Sequence, residues 1–210
     1  MQNPTKSAFI LIDMENGFLT PDSAHCIAGA AATVPACAAA IRTAREKKIP
    51  VFFVKRIYRA DGSDVECTRY AQWVQGGRSM APGTAGADEP EALRPQPGDY
   101  TIIKPRWSAF FQTELDLILR RLGVRTVILA GTTTPNCIRT TCYDANALDY
   151  NVVVLSDCTS SQTEEIQRAN LEDMARMGAH ILSSREFLDY NEATIPDLAS
   201  GIRAQIEQNI

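Results

Sequence analysis

Histidine is scarce in this 210-residue chain, which holds only His25 and His180, and that scarcity narrows the chemistry open to it. A histidine-rich metal cluster, or a cysteine paired with a histidine base, has few residues to draw on. Apolar runs reach only five or six residues, far short of the roughly 20 that cross a bilayer, so no membrane partner is expected. The opening MQNPTKSAFILID carries no basic region ahead of an apolar core, and a cytoplasmic chain is expected. A net charge of -4 with interspersed signs offers no basic stripe, which removes the footprint of a nucleic-acid partner. The six cysteines show no CxxC spacing, so reduced, mostly buried thiols are expected rather than a disulfide framework. No Pro/Gly/Ser-rich linker separates halves of different composition, and residues 1–210 read as one domain.

Six short apolar runs are present: AFILI (8–12), PVFFV (50–54), YTIIK (100–104), TVILA (126–130), NVVVL (151–155) and AHILS (179–183). Each is continuous rather than alternating, the pattern of strands buried on both faces. Helical patterns lie between most of them, over 33–48, 113–123 and 161–178. Pro35 stands near the start of the first; Thr113 and Ser161 are the expected caps of the other two, with Gly123 and Gly178 as their stops. This alternation predicts an α/β fold, a three-layer α/β/α sandwich with a mainly parallel, six-stranded, Rossmann-like sheet. Residues 55–98 break the alternation with a Gly/Pro-rich stretch too long for a plain connection, expected to cover a site or touch a partner, with a short helix near EPEALRP.

Ligands of open parallel sheets sit beyond the C-terminal strand ends. Three chemistry-bearing residues fall there: Asp13 after the first strand, Lys104 at the end of the third, and Cys137 after the fourth. With Thr134 as N-cap and Pro135 opening a helix, Cys137 is its third residue, where the helix start lowers a thiol's pKa. Its N–H, with that of Thr133, is then placed to receive an oxyanion. Neither histidine follows a strand end, so Asp13 is the candidate base and acid, with Lys104 holding its carboxylate. Taken singly, each has a plain structural role: Cys137 as a core thiol, Asp13 as a turn cap, Lys104 lying along an apolar wall.

The stretches ILIDMENGF (10–18), IIKPRWSAFFQTELDLIL (102–119) and LAGTTTPNCIRTTCYDANALDYNVVVLSDCTSS (129–161) together resemble the isochorismatase-like cysteine hydrolases, a superfamily that includes nicotinamidases and N-carbamoylsarcosine amidohydrolase. The resemblance covers nearly the whole chain outside 55–98. It implies that Asp13 is general base and acid, Lys104 the catalytic lysine and Cys137 the nucleophile. It also implies a cis peptide between Thr132 and Thr133 that turns the amides of Thr133 and Cys137 toward one oxygen. Where nicotinamidases carry an Asp-x-His metal cluster, this chain reads KRIYRADGSDVECTRY (55–70), without histidine, so no cofactor or metal is expected. Cys137 points to C–N bond hydrolysis, because vinyl-ether-cleaving members lack the nucleophile.

The expected activity is therefore metal-independent hydrolysis of a small amide, carbamoyl or ureido compound through a thioester. Hydrolysis of a ring amide or lactam by the same three residues stands beside it, as does a non-catalytic binding protein with a redox-sensitive Cys137. Arg56, Tyr58, Arg59 and Arg106 are the candidate specificity residues, since a guanidinium can grip a carboxylate or ureido oxygen. Phe18, Trp107 and Phe110 are candidate apolar walls, and Asn136 is placed to reach substrate or to complete the helix start. Asp144 matches the motif and is expected to support its helix from within. The family's habit of forming dimers or tetramers implies a homo-oligomer.

Overall fold

The computed structural model describes residues 6–191, 193–195 and 197–210. Its strands are β1 (Lys6–Ile12), β2 (Val51–Lys55), β3 (Tyr100–Ile103), β4 (Val124–Thr132), β5 (Asn151–Ser160) and β6 (His180–Leu182). All pair in parallel in the order β3-β2-β1-β4-β5-β6. The helices are α1 (Asn16–Leu19), α2 (Ala30–Glu46), α3 (Tyr70–Gln75), α4 (Leu115–Arg121), α5 (Arg139–Ala147), α6 (Glu164–Arg176), α7 (Ser184–Leu188) and α8 (Leu198–Gln208). No helix among the described residues is long and apolar enough to cross a membrane.

The continuous apolar runs are explained by two cores. Along β1, Phe9 and Leu11 face the side covered by α2, where Cys37, Ile41 and Ala44 pack with Val51, Phe53 and Ile128. Ala8, Ile10 and Ile12 face the other side, where Leu115, Leu119, Cys142, Ala145 and Met174 of α4, α5 and α6 close over Phe52, Val127 and Leu129. Because successive side chains point to opposite faces, a strand covered on both must be apolar at every position.

All six expected strands form, while the helix boundaries shift. Helix α2 starts at Ala30 and carries Pro35 at its sixth position; the cap of α4 is Glu114 and that of α6 is Thr163. Thr113 instead donates to Ala109 O at 2.5 Å and accepts from Leu115 N–H. Ser161 accepts a backbone hydrogen bond from Gly29 through its carbonyl, so it ties the chain across to α2 rather than opening a helix.

The 55–98 stretch folds onto its own chain. Trp73 of α3, Tyr58, Val65, Met80 and Phe18 form a separate small core, with Tyr58 and Trp73 edge to face at 5.9 Å. A short 3-10 turn at Glu91–Leu93 supplies the helix expected near EPEALRP.

The strand order reverses direction between β1 and β4, so their C-terminal ends open a crevice. Closeness there depends on Gly131, whose φ is +113° and which pairs with Ile12; a Cβ would lie 2.0 Å from Ile12 O. Gly131→Ala is expected to destabilise the protein by about 2–4 kcal/mol, through a clash and a disallowed φ together. Chemical denaturation checks this; a change under about 0.5 kcal/mol, the size of an ordinary surface substitution, contradicts it.

Candidate active site

Asp13 leaves β1 with φ +51°, in a region few non-glycine residues adopt, and its N–H donates to Val54 O at 2.9 Å. Lys104 follows β3 and donates its N–H to Lys55 O. Both side chains are buried, and Lys104 Nζ lies 2.7 Å from Asp13 Oδ2. The ammonium sits off the line of a good hydrogen bond, and among the described residues neither Asp13 oxygen accepts one of good geometry. The carboxylate is thus neutralised by charge while keeping lone pairs available for a proton.

The turn after β4 places the thiol. The Thr132–Thr133 peptide is cis, and the three threonines tie the turn to the last residue of β5. Thr132 Oγ1 and Ser160 Oγ are 3.0 Å apart, while the Thr133 and Thr134 hydroxyls donate to Ser160 O at 3.0 and 2.9 Å. Residues Thr134–Ile138 form a π-helical turn capped by Thr133, and only from Arg139 does α5 run as an α-helix. Cys137 therefore stands in the fourth position of a wide turn rather than the third of an α-helix. The N–H groups of Asn136 and Ile138 both donate to Thr133 O, and the carbonyl of Cys137 accepts from Thr141 Oγ1 at 2.6 Å.

Two cations face the sulfur. Lys104 Nζ donates toward Cys137 Sγ at 3.6 Å and Arg56 Nη2 at 3.8 Å. Burial, followed by the charge of Asp13, nevertheless raises the thiol pKa, outweighing Lys104 and Arg56. The expectation of a thiol lowered by a helix start is overturned: desolvation dominates at a sulfur this enclosed. The resting thiol keeps its proton beside an acceptor.

Three further buried groups complete the charge balance. Arg56 is fully buried; its Nη1 pairs with Glu66, its Nη2 donates to Arg106 O at 2.7 Å, and its N–H donates to Glu15 Oε1 at 2.5 Å. Tyr58 OH donates to Glu66 Oε2 at 2.6 Å. Although burial opposes it, Arg56 and that hydroxyl hold Glu66 below the usual carboxylate range. Glu15 behaves oppositely: burial, then the Asp13 charge, pushes its carboxyl up to about 8. Glu15 sits beside two buried acid–base pairs, Asp13 with Lys104 and Glu66 with Arg56.

The raised Glu15 value has a consequence for stability. Between its ordinary pKa and about 8 the folded chain binds the proton that the unfolded chain releases, so stability falls as pH rises through this window. Glu15→Gln removes this loss, and the stability gap in favour of the variant is expected to widen from pH 5 to pH 8, by at most about 1.4 kcal/mol per pH unit. Parallel stability profiles for the two proteins contradict the assignment.

A cavity of about 240 Å³ opens above the thiol, lined by Asp13, Phe18, Thr132, Thr133, Asn136 and Cys137, and walled by Ala24 to Ile27, Arg69, Gln72 and Gln162. Lys104 lies behind this lining. The remaining residues singled out from the sequence lie elsewhere, among them Arg56, which sits beneath the thiol with its donors engaged. Tyr58 is buried in the small core, and Arg59 is exposed beside Asp61. Arg106 Nη1 donates to Asp64 O at 2.8 Å, and Arg106 lines a separate groove with Trp107 and Asp144. Phe110 stacks on Tyr150 at 5.8 Å.

Sequence reasoning missed His25, Arg69, Gln72 and Gln162. Gln72 donates to Ala24 O at 2.5 Å, and Gln162 bridges Cys26 O and the N–H of Ala28, so both fix the 24–28 wall. Among the described residues no group of three or more His, Cys, Asp or Glu side chains is arranged to hold a metal ion. The donor set does not fit the metal of nicotinamidases.

The family model described as "Isochorismatase domain" matches residues 7–186. The chain is 38% identical over 177 residues to a "Probable inactive nicotinamidase" of Arabidopsis thaliana, covering 82% of this chain and 89% of that one. It is 30% identical over 205 residues to a ureidoacrylate amidohydrolase of Pantoea ananatis, covering 89% and 82% respectively. The crystal structure of an isochorismatase family protein from Desulfovibrio vulgaris matches with a TM-score of 0.85 and 41% identity, covering 88% of this chain and 97% of that one.

Proposed function

The chain belongs to the isochorismatase family, and from that premise we propose that it is a metal-independent cysteine amidohydrolase of a small amide, carbamoyl or ureido compound. The observation carrying this reading is the Cys137 thiol at the floor of an open cavity, with a carboxylate acceptor, Asp13, and two cations around it. The relative named as a ureidoacrylate amidohydrolase supports the reaction class.

Cys137 Sγ attacks the carbonyl carbon as its proton passes to Asp13. Lys104 and Arg56 stabilise the charge left on sulfur, which offsets the raised thiol pKa at the moment of attack. The oxyanion rests on the amides of Thr133 and Cys137. Asp13 then returns the proton to the leaving nitrogen, the C–N bond breaks, and ammonia or an amine departs. Water, deprotonated by Asp13, attacks the thioester carbonyl; the C–S bond breaks and the thiol recovers a proton.

Ammonia release from a panel of primary amides, N-carbamoyl amino acids and nicotinamide tests this, with wild type, Cys137→Ala and a chelator compared side by side. Chelator-resistant release that disappears in the variant is the expected result. Release that a chelator abolishes and metal restores overturns the metal-independent mechanism.

A further inference from the structure

The far wall of the cavity holds two groups that the proposed reaction does not use. His25 is buried, and its Nε2 is without a hydrogen-bond partner among the described residues. Arg69, half-buried, is the only Lys or Arg lining this cavity, and it makes no ion pair among the described residues. A buried, unpartnered ring nitrogen is costly unless something fills its position. The other polar wall residues are committed: Gln72 and Gln162 hold the 24–28 backbone. The cavity is therefore polarised, with a carboxylate and a thiol at its floor and a lone cation with an unpaired imidazole on its wall.

We propose that Arg69 and His25 form a carboxylate-binding subsite, so that the substrates are small amide or ureido compounds carrying a carboxylate on the side away from the scissile bond. The inference rests on reading the Cys137 cavity as the active site. A guanidinium grips a carboxylate through paired N–H donors, and the His25 ring lines the same cavity, where it senses the charge bound there. Burial, and then the Arg69 charge, lowers the His25 pKa, so the empty site holds the imidazole neutral. Glu66 acts the other way and Arg56 with Arg69. An arriving carboxylate adds negative charge beside the ring and reverses that balance. Asp13, at the opposite end, repels the same carboxylate and so fixes which end of the substrate meets the thiol. The cavity of about 240 Å³ has room for a small carboxylate-bearing amide or ureido compound.

Two measurements test the subsite. The first needs no turnover: propionate is titrated into the protein while the ring signals of His25 and His180 are followed by NMR, with His180→Gln to assign them. The expected result is saturable binding that raises the His25 pKa by about one unit, the size of effect an adjacent opposite charge produces, and that is lost in Arg69→Ala. No saturable shift of His25 overturns the proposal.

The second compares N-carbamoylglycine and N-carbamoyl-β-alanine with their methyl esters by ammonia release. The acids are expected to exceed the esters in kcat/KM by about 100-fold in wild type, as for loss of one charged hydrogen-bond pair. That advantage should collapse toward unity in Arg69→Ala through KM and return partly in Arg69→Lys. Equal turnover of acids and esters, with Cys137→Ala inactive, overturns the subsite and leaves the amidohydrolase reading standing. Undiminished turnover by Cys137→Ala overturns that reading instead, whatever the NMR shows.

Discussion

Cys137→Ala is expected to abolish amide hydrolysis, with kcat lowered by at least about 10⁴-fold, the scale seen when a covalent nucleophile is removed. On the proposed mechanism the loss is one of chemistry and not of folding. Cys137 is enclosed between β4 and α5, but its side chain is small, and the cavity left by one sulfur costs about 1 kcal/mol. Cys137→Ser separates the roles further. The hydroxyl fits the space, yet its proton is held far more tightly than a thiol's, and a carboxylate lacks the basicity to take it. Activity is expected to fall nearly as far as in the alanine variant. Denaturation midpoints close to wild type for both variants, beside lost turnover, fit the account; a midpoint that collapses with activity makes Cys137 a packing residue.

Arg56→Met is expected to destabilise the protein by about 3–5 kcal/mol, the cost of breaking a buried pair by removing one partner. Arg56 is buried against Glu66, Tyr58 and the carbonyl of Arg106. Without the guanidinium, Glu66 loses its paired cation and keeps only the hydroxyl of Tyr58 and the weaker influence of the Arg69 charge. Adding Glu66→Gln should recover part of the loss, because residues in one hydrogen-bonded network are non-additive. Urea unfolding of the single and double variants measures this. Equal destabilisation by Arg56→Met with and without Glu66→Gln contradicts the pairing as the source of the cost. The same guanidinium stands 3.8 Å from Cys137 Sγ, so the variant should also slow attack by the thiol.

These two predictions mark the boundary of what was legible in the chain. The strands could be read because burial on both faces demands apolar residues at each position, which 8–12 and 151–155 display directly. Asp13, Lys104 and Cys137 could be proposed because parallel strands deliver their C-terminal ends to one edge. The cavity walls could not be read. His25 lies in the irregular segment between α1 and α2, and Arg69 lies where 55–98 packs around Trp73, so no periodicity announces either side chain's direction.

The arginines show the limit most sharply. Arg56 and Arg69 are the same residue type in one stretch, but Arg56 continues the line of β2 inward to Glu66, while Arg69 caps α3 at the cavity. Only the packing of the intervening loop distinguishes them. The thiol's pKa is a similar case: a cysteine after a strand and a proline suggests activation by a helix start, yet enclosure and Asp13 reverse the direction.

The most direct test is alkylation of Cys137 by iodoacetamide, followed by peptide mapping and amide hydrolysis on the same samples. Mapping is needed because Cys67 is exposed and Cys26 lines the cavity. Activity falling in proportion to label on Cys137, with substrate slowing both, is the predicted result. Full alkylation of Cys137 with hydrolysis intact contradicts the account.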